Sequence, residues 1–286
     1  MKRTFILLAG ICFAIGGMAQ TDSTKNESDT IRVGNILIIK NKKDGKNEDD
    51  KDHDEDVKVE RRKNTRRSNI STNWAIVDLG INQFNDKTNY AQSITQGYLP
   101  TGANEDWFDL RNGKSINVNI WFFMQQVNLV KHIVNLKYGL GLELNTYRYS
   151  ENIKYQKSGR PLVIMDNIDY KKNKLATDYL TVPVMLNFNF TPNRGDKHGF
   201  SIGGNGFGFS VGASAGYLYA SRQKTINDKD EKKKDKEDFE LRKWKISYIG
   251  ELSLGVIKFY GSYANKSMFE KGLDHTPYTV GIRLSN

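Results

Sequence analysis

From residue 74 onward, apolar side chains recur at every second position, the spacing of a half-buried β-strand and not of a helix. Residues 74–82 set Ala75, Val77, Leu79 and Ile81 on one face. Residues 115–124 set Ile116, Val118, Ile120 and Phe122 against Asn117 and Asn119. In 134–145 the apolar set is Val134, Leu136, Tyr138, Leu140, Leu142 and Leu144, facing away from Lys137, Gly139, Gly141, Glu143 and Asn145. The same alternation runs through 179–190, 207–219, 244–254, 258–264 and 278–284, which brings the predicted strands to eight. Asn, Gly, Thr, Tyr and β-branched residues dominate these runs, a composition that suits a pleated surface.

The connections alternate in length. Long polar segments at 84–114, 150–176 and 221–243 and a medium one at 265–277 are separated by short ones at 128–132, 191–199 and 255–257. An up-and-down barrel produces this pattern, with short turns at one end, long loops at the other and both termini at the short-turn end. The expected fold class is therefore all-β: an eight-stranded antiparallel up-and-down transmembrane β-barrel with a disordered N-terminal extension.

A water-soluble barrel alternates in the same way, so the character of the polar face decides which side meets water. A solvent-facing wall is normally dense in Lys, Glu and Asp. Here the polar face is mostly Gly, Ser, Asn and Thr, and its charges are few: Asp78, Lys137, Glu143, Glu251, Lys258 and Arg283. That places the polar face in a narrow, side-chain-filled interior, with these six residues as a lumen polar network, and turns the apolar face toward lipid. Trp74, Phe122, Tyr147, Tyr149, Phe190, Tyr217, Tyr219, Trp244 and Tyr278 lie near strand ends and are expected to form interfacial girdles.

Residues 1–19 are expected to be a secretory signal: Lys2 and Arg3, an apolar stretch too short to span a bilayer, then Gly17 and Ala19 before a cleavage point at Gln20. The alternative is an N-terminal anchor. Cys12, the single cysteine, follows Ile11 inside the apolar stretch and does not make a lipobox. The mature chain then has no disulfide or thiol chemistry, and its formal charge falls by the two lost cations from +10 to +8. Acids and bases are interleaved, which reads as solvated mixed charge and not as a nucleic-acid surface. Residues 20–72 are expected to be a charged periplasmic extension, largely disordered, whose one apolar segment at 31–40 offers a short strand or a docking patch; the barrel takes 73–286. No mature segment approaches the roughly 20 apolar residues of a membrane helix.

Candidate chemistry is sparse. Of the four histidines, only His275, with Asp274 and Ser267 nearby in sequence, sits where an outer-leaflet lipid hydrolase would need one. The run at 203–208 (GGNGFG) lacks the Lys-Ser/Thr and the helix of a phosphate loop, and 229–238 lacks the spacing of a Ca²⁺ loop. No cofactor or metal is expected, and the chain is not expected to be an enzyme.

Three segments resemble the outer-membrane β-barrel proteins of Bacteroidota, the PorT-like and OmpX- or OmpA-barrel-like group: 179–188 (YLTVPVMLNF), 210–218 (SVGASAGYL) and 278–284 (YTVGIRL). The resemblance implies an outer-membrane location, with outer-membrane lipid, lipopolysaccharide and the assembly machinery as partners. The chain ends Leu284-Ser285-Asn286 and not in an aromatic residue, so an assembly signal is expected internally, around 281–284. The expected role is non-enzymatic, structural or interactive, exercised through charged outward loops. Alternatives are a small pore, or an accessory barrel of a secretion or surface-assembly complex with a periplasmic or surface protein partner.

Overall fold

The computed structural model describes residues 30–33, 36–39, 59–61, 68–156, 159–190, 205–255 and 257–284. The expected signal segment, His53, His198 and the turn at 191–199 lie outside them. The chain divides into two units, Met1–Arg67 and Ser68–Asn286. In the first, β1 (Thr30–Val33), β2 (Ile36–Ile39) and β3 (Val59–Arg61) pair as an antiparallel sheet in that order. The segment 31–40, expected to offer one short strand or a docking patch, contributes to two strands.

The second unit is a barrel. Its wall strands are β4 (Ile70–Asp86), β5 (Ile116–Val130), β6 (Val134–Tyr149), β9 (Tyr170–Asn189), β10 (Asn205–Asn227), β12 (Trp244–Gly255), β13 (Ile257–Ala264) and β14 (His275–Leu284). Three short strands lie in the long connections: β7 (Ile153–Tyr155), β8 (Val163–Met165) and β11 (Lys232–Asp235). The first long connection carries a helix, α1 (Tyr90–Thr95), and a 3₁₀ turn, Glu105–Phe108. Every wall strand pairs antiparallel with its sequence neighbour, and β14 returns to β4 in the register Val280↔Ile81, so the ring closes and leaves no wall strand with a free edge.

The pairings explain several local choices. Pro183 has no backbone N–H to give; the β6–β9 ladder runs to Tyr138↔Val184, lapses opposite the proline and resumes at Gly141↔Thr181. Gly255 turns the chain from β12 into β13 at φ +68°, a conformation glycine adopts without strain. Gly281 faces the lumen where β14 and β4 come close: a Cβ there would sit 2.5 Å from Gly80 Cα and inside the Leu79 carbonyl.

Side chains alternate around the wall. On β9, Leu180, Val182, Val184 and Leu186 are exposed while Thr181, Pro183 and Met185 are buried. The outward set continues around the ring as Leu79, Ile81, Val211, Ile246, Leu252, Phe259, Val280 and Ile282. Trp74 (72% exposed) and Trp244 (64%), with Phe190, Tyr217, Tyr219, Tyr248, Tyr263 and Tyr278, stand near its margins. Tyr147 and Tyr149, expected among these aromatics, instead point inward and are buried, because the parity that turns Leu142 and Leu144 out turns odd-numbered residues of β6 in. The wall strands also run further than expected at the long-loop end, since β9 already starts at Tyr170 and β10 reaches Asn227.

Candidate functional site

The lumen holds the six residues expected there, and the register explains how they meet. Arg283 lies opposite Asp78 on one side and Lys258 on the other, and Asp78 lies opposite Asn119, which lies opposite Glu143. Arg283 grips Asp78 through two bonds, Nε to Oδ1 at 2.6 Å and Nη2 to Oδ2 at 2.8 Å. Its remaining Nη1 donates to Glu251, whose other oxygen accepts from Lys137. The guanidinium fork therefore bridges two carboxylates, a geometry that an ammonium cannot reproduce. Glu143 pairs with Lys245, a cation the sequence reading left out. Lys258 is buried at the same level.

Neutral groups extend these ion pairs. Asp78 Oδ2 accepts from the Trp121 indole N–H at 2.7 Å and from Asn119 Nδ2 at 3.3 Å. Asn117 donates through Nδ2 to Asn119 and Asn145, both at 2.9 Å, and accepts from the Tyr260 hydroxyl through Oδ1. Asn145 donates to Glu143 at 3.1 Å and accepts from Asn82 at 3.0 Å, and Thr279 donates to Asn82 at 2.6 Å. Thr181 Oγ1 reaches Glu143 at 3.3 Å. The chain of bonds thus joins side chains from β4, β5, β6, β9, β12, β13 and β14. The void bounded by Asp78, Trp121, Glu143 and Arg283 measures about 30 Å³, room for about two waters.

The long-loop end is closed by an apolar cap. Leu99, Phe108, Tyr147, Tyr149, Ile153, Tyr155, Val163, Leu175, Leu218, Phe239, Leu241 and Phe269 pack into one buried cluster. Long connections meet in it: Leu241 bridges to Phe269, Leu162 N donates to Tyr98 O at 2.7 Å, and Ser93 Oγ donates to Gly272 O at 2.6 Å. Gln223, reaching in from β10, accepts from Tyr155 N and donates to Ile153 O, both at 2.9 Å. The larger apolar core therefore sits in the cap, and the lumen below it is polar.

His275 is fully buried within this cap. Its ring stacks on Phe84 at 4.2 Å and meets Phe108 and Phe269 edge-on. Its Nε2 lies 3.2 Å from Asp86 Oδ2, close enough for charge pairing though not aligned for a hydrogen bond. Burial on its own pushes the Asp86 carboxyl up, but the facing His275 ring and the Thr88 and Tyr90 donors outweigh it and hold the carboxyl well below its ordinary value. The acid beside His275 is thus Asp86 and not Asp274, which is exposed, and Ser267 Oγ donates to Leu273 O at 3.1 Å. The serine–histidine–acid trio weighed from the sequence is not assembled. His132 lies in the short β5–β6 turn, as expected. Among the described residues no cluster of His, Cys, Asp and Glu is arranged to hold a metal.

Fold and lumen together define the class: a closed eight-stranded antiparallel barrel, polar and filled inside, apolar on its outer wall. No protein-family model matches the chain, and no curated protein matches it either.

Proposed function

We propose that the protein is an integral outer-membrane β-barrel with a structural or interaction role, its capped end facing outward and its termini in the periplasm. One observation carries this reading: the apolar side chains of the wall point away from the barrel axis, while ion pairs and asparagines fill the centre. In water such a wall would leave a continuous apolar surface far larger than the few hundred Å² that soluble monomers expose. In hydrocarbon it is the stable arrangement, because a closed ring satisfies every strand hydrogen bond internally. The exposed run Leu180 to Leu186 on β9, continued by Phe190 one residue past the strand, covers ten residue steps, about 25 Å of height at the usual strand tilt. No described helix is long and apolar enough to cross a membrane; in this reading it is the strands that span it. In the same reading, 179–188, 210–218 and 278–284 are wall strands of a Bacteroidota-type outer-membrane barrel.

The filled lumen and packed cap favour a non-conducting barrel over a pore. The engagement of Ser267 and the burial of His275 give the hydrolase reading no support. Membrane fractionation followed by gel migration with and without boiling tests the proposal. Recovery with the outer membrane, as a band that shifts on heating, is expected; recovery as a soluble periplasmic protein contradicts it.

A further inference from the structure

The wall does not stop at the apolar belt. Beyond Leu144, Leu180 and Tyr217, strands β6, β9 and β10 continue outward, and β11 adds to them as a hairpin. The outward-facing positions change character abruptly there. The next pairing level sets Leu144 opposite Asp178, which binds Arg222. Above it, Arg148 lies opposite Lys174, Lys174 opposite Lys224, and Lys224 opposite Lys234. Four cations thus stand side by side across four adjacent strands on one face, and Lys172 and Lys232 flank Ile226 in the row beyond.

Like charges directly opposite each other destabilise a sheet. Among the described residues, none of the four has a carboxylate within ion-pairing distance. Burial, and then the neighbouring Lys172, Lys224, Arg222 and Arg148 charges, press the Lys174 ammonium toward its neutral form. An anion lying along the row would relieve this repulsion.

Its height identifies the anion. Arg148 is four residues beyond Leu144 on β6, about 10 Å along the axis at ordinary strand rise and tilt. That is just past the headgroup layer, about 5–8 Å thick, into which long Lys and Arg stems reach back. The four side chains span three strand spacings, about 14 Å, wide enough to hold more than one phosphate.

We infer that this face of β6, β9, β10 and β11 binds the phosphate-bearing headgroup of an outer-leaflet glycolipid. The inference rests on the membrane reading proposed above and gives that reading a specific lipid contact on the wall, outside the loop tips.

The test folds the protein into phosphatidylcholine vesicles containing a bisphosphorylated glycolipid, and into matched vesicles holding the same glycolipid after phosphatase treatment. Lipid retention is read by native mass spectrometry. Preferential retention of the phosphorylated form, weakened in molar salt, is expected. The double variant Lys174→Gln/Lys224→Gln should lower retention about 25-fold, at about fivefold per charge. In neutral detergent its melting temperature should be no lower than that of the unaltered protein, because removing the two charges relieves repulsion; a purely structural role for the row predicts a fall. Equal retention of both glycolipids, unchanged retention by the variant, or displacement by millimolar inorganic phosphate overturns the inference. If the chain inserts normally in any of these cases, the barrel reading survives; if it fails to insert into either kind of vesicle, both fall.

Discussion

Arg283 shows at the scale of one residue why the lumen is ionic and still stable. Its guanidinium is buried between Asp78 and Glu251, and every charge there has a partner. Removing one partner from such a set strands the others in a dry interior. Arg283→Met should therefore cost about 3–5 kcal/mol, measured as a shift in the denaturant midpoint of the barrel folded in vesicles. Adding Asp78→Asn to that variant should restore part of the loss; a midpoint unchanged by Arg283→Met would mean that the ions carry no net coupling. Asp86 belongs to the cap and gives a pH signature. A carboxyl held below its ordinary 3.8 contributes stability that is complete above that pH and is lost as the pH falls through the lowered value. The melting temperature of the cap should thus fall as the pH drops below about 4. Asp86→Asn should remove this dependence, and an equal fall in that variant would place the acid sensitivity elsewhere.

At the scale of elements, periodicity made the wall legible. Period two placed eight strands and assigned inward and outward faces, because a one-residue slip in a barrel moves a whole apolar set into the lumen. The same parity held information the sequence reading passed over. Lys245 shares its parity with Ser247 and Glu251, and Tyr147 and Tyr149 share theirs with Glu143 and Asn145, so all three side chains point inward. Strand lengths at the capped end were not legible. Outer-wall positions 172, 174, 222 and 224 are cationic, so the apolar alternation breaks off before the strands do. The His275–Asp86 pair was equally hidden, since it exists only through the closure of β14 on β4. Gly281 marks the tightest part of that closure. Gly281→Ala should leave the chain unable to give the heat-shifted band, whereas Gly113→Ala, in a loop position with open space around it, should fold with only the modest cost of its positive φ.

The whole molecule divides its duties by height: an ionic, hydrogen-bonded lumen within the apolar belt, and an apolar core in the cap above it. The cap was the least legible part, because Phe108, Ile153, Val163 and Phe269 lie in connections with little regular pattern and are brought together only by the finished barrel. With both the lumen and its capped end filled, the folded protein should show no steady single-channel conductance in planar bilayers. Phe269→Ala should loosen the cap by about 3–5 kcal/mol, seen as faster proteolysis of the long connections while the wall stays protected. Steady conductance by the unaltered protein would refute the filled lumen.

The orientation of the wall can be read residue by residue. Cys12 is the single cysteine of the chain, so with it replaced, one cysteine at a time can be introduced from Leu180 to Leu186 and labelled with an environment-sensitive dye in the folded, lipid-embedded protein. Positions 180, 182, 184 and 186 should report a hydrocarbon environment and be quenched by brominated acyl chains, with 181, 183 and 185 unquenched. Quenching that ignores the alternation, or that falls on the odd positions, would contradict a barrel whose apolar wall faces lipid.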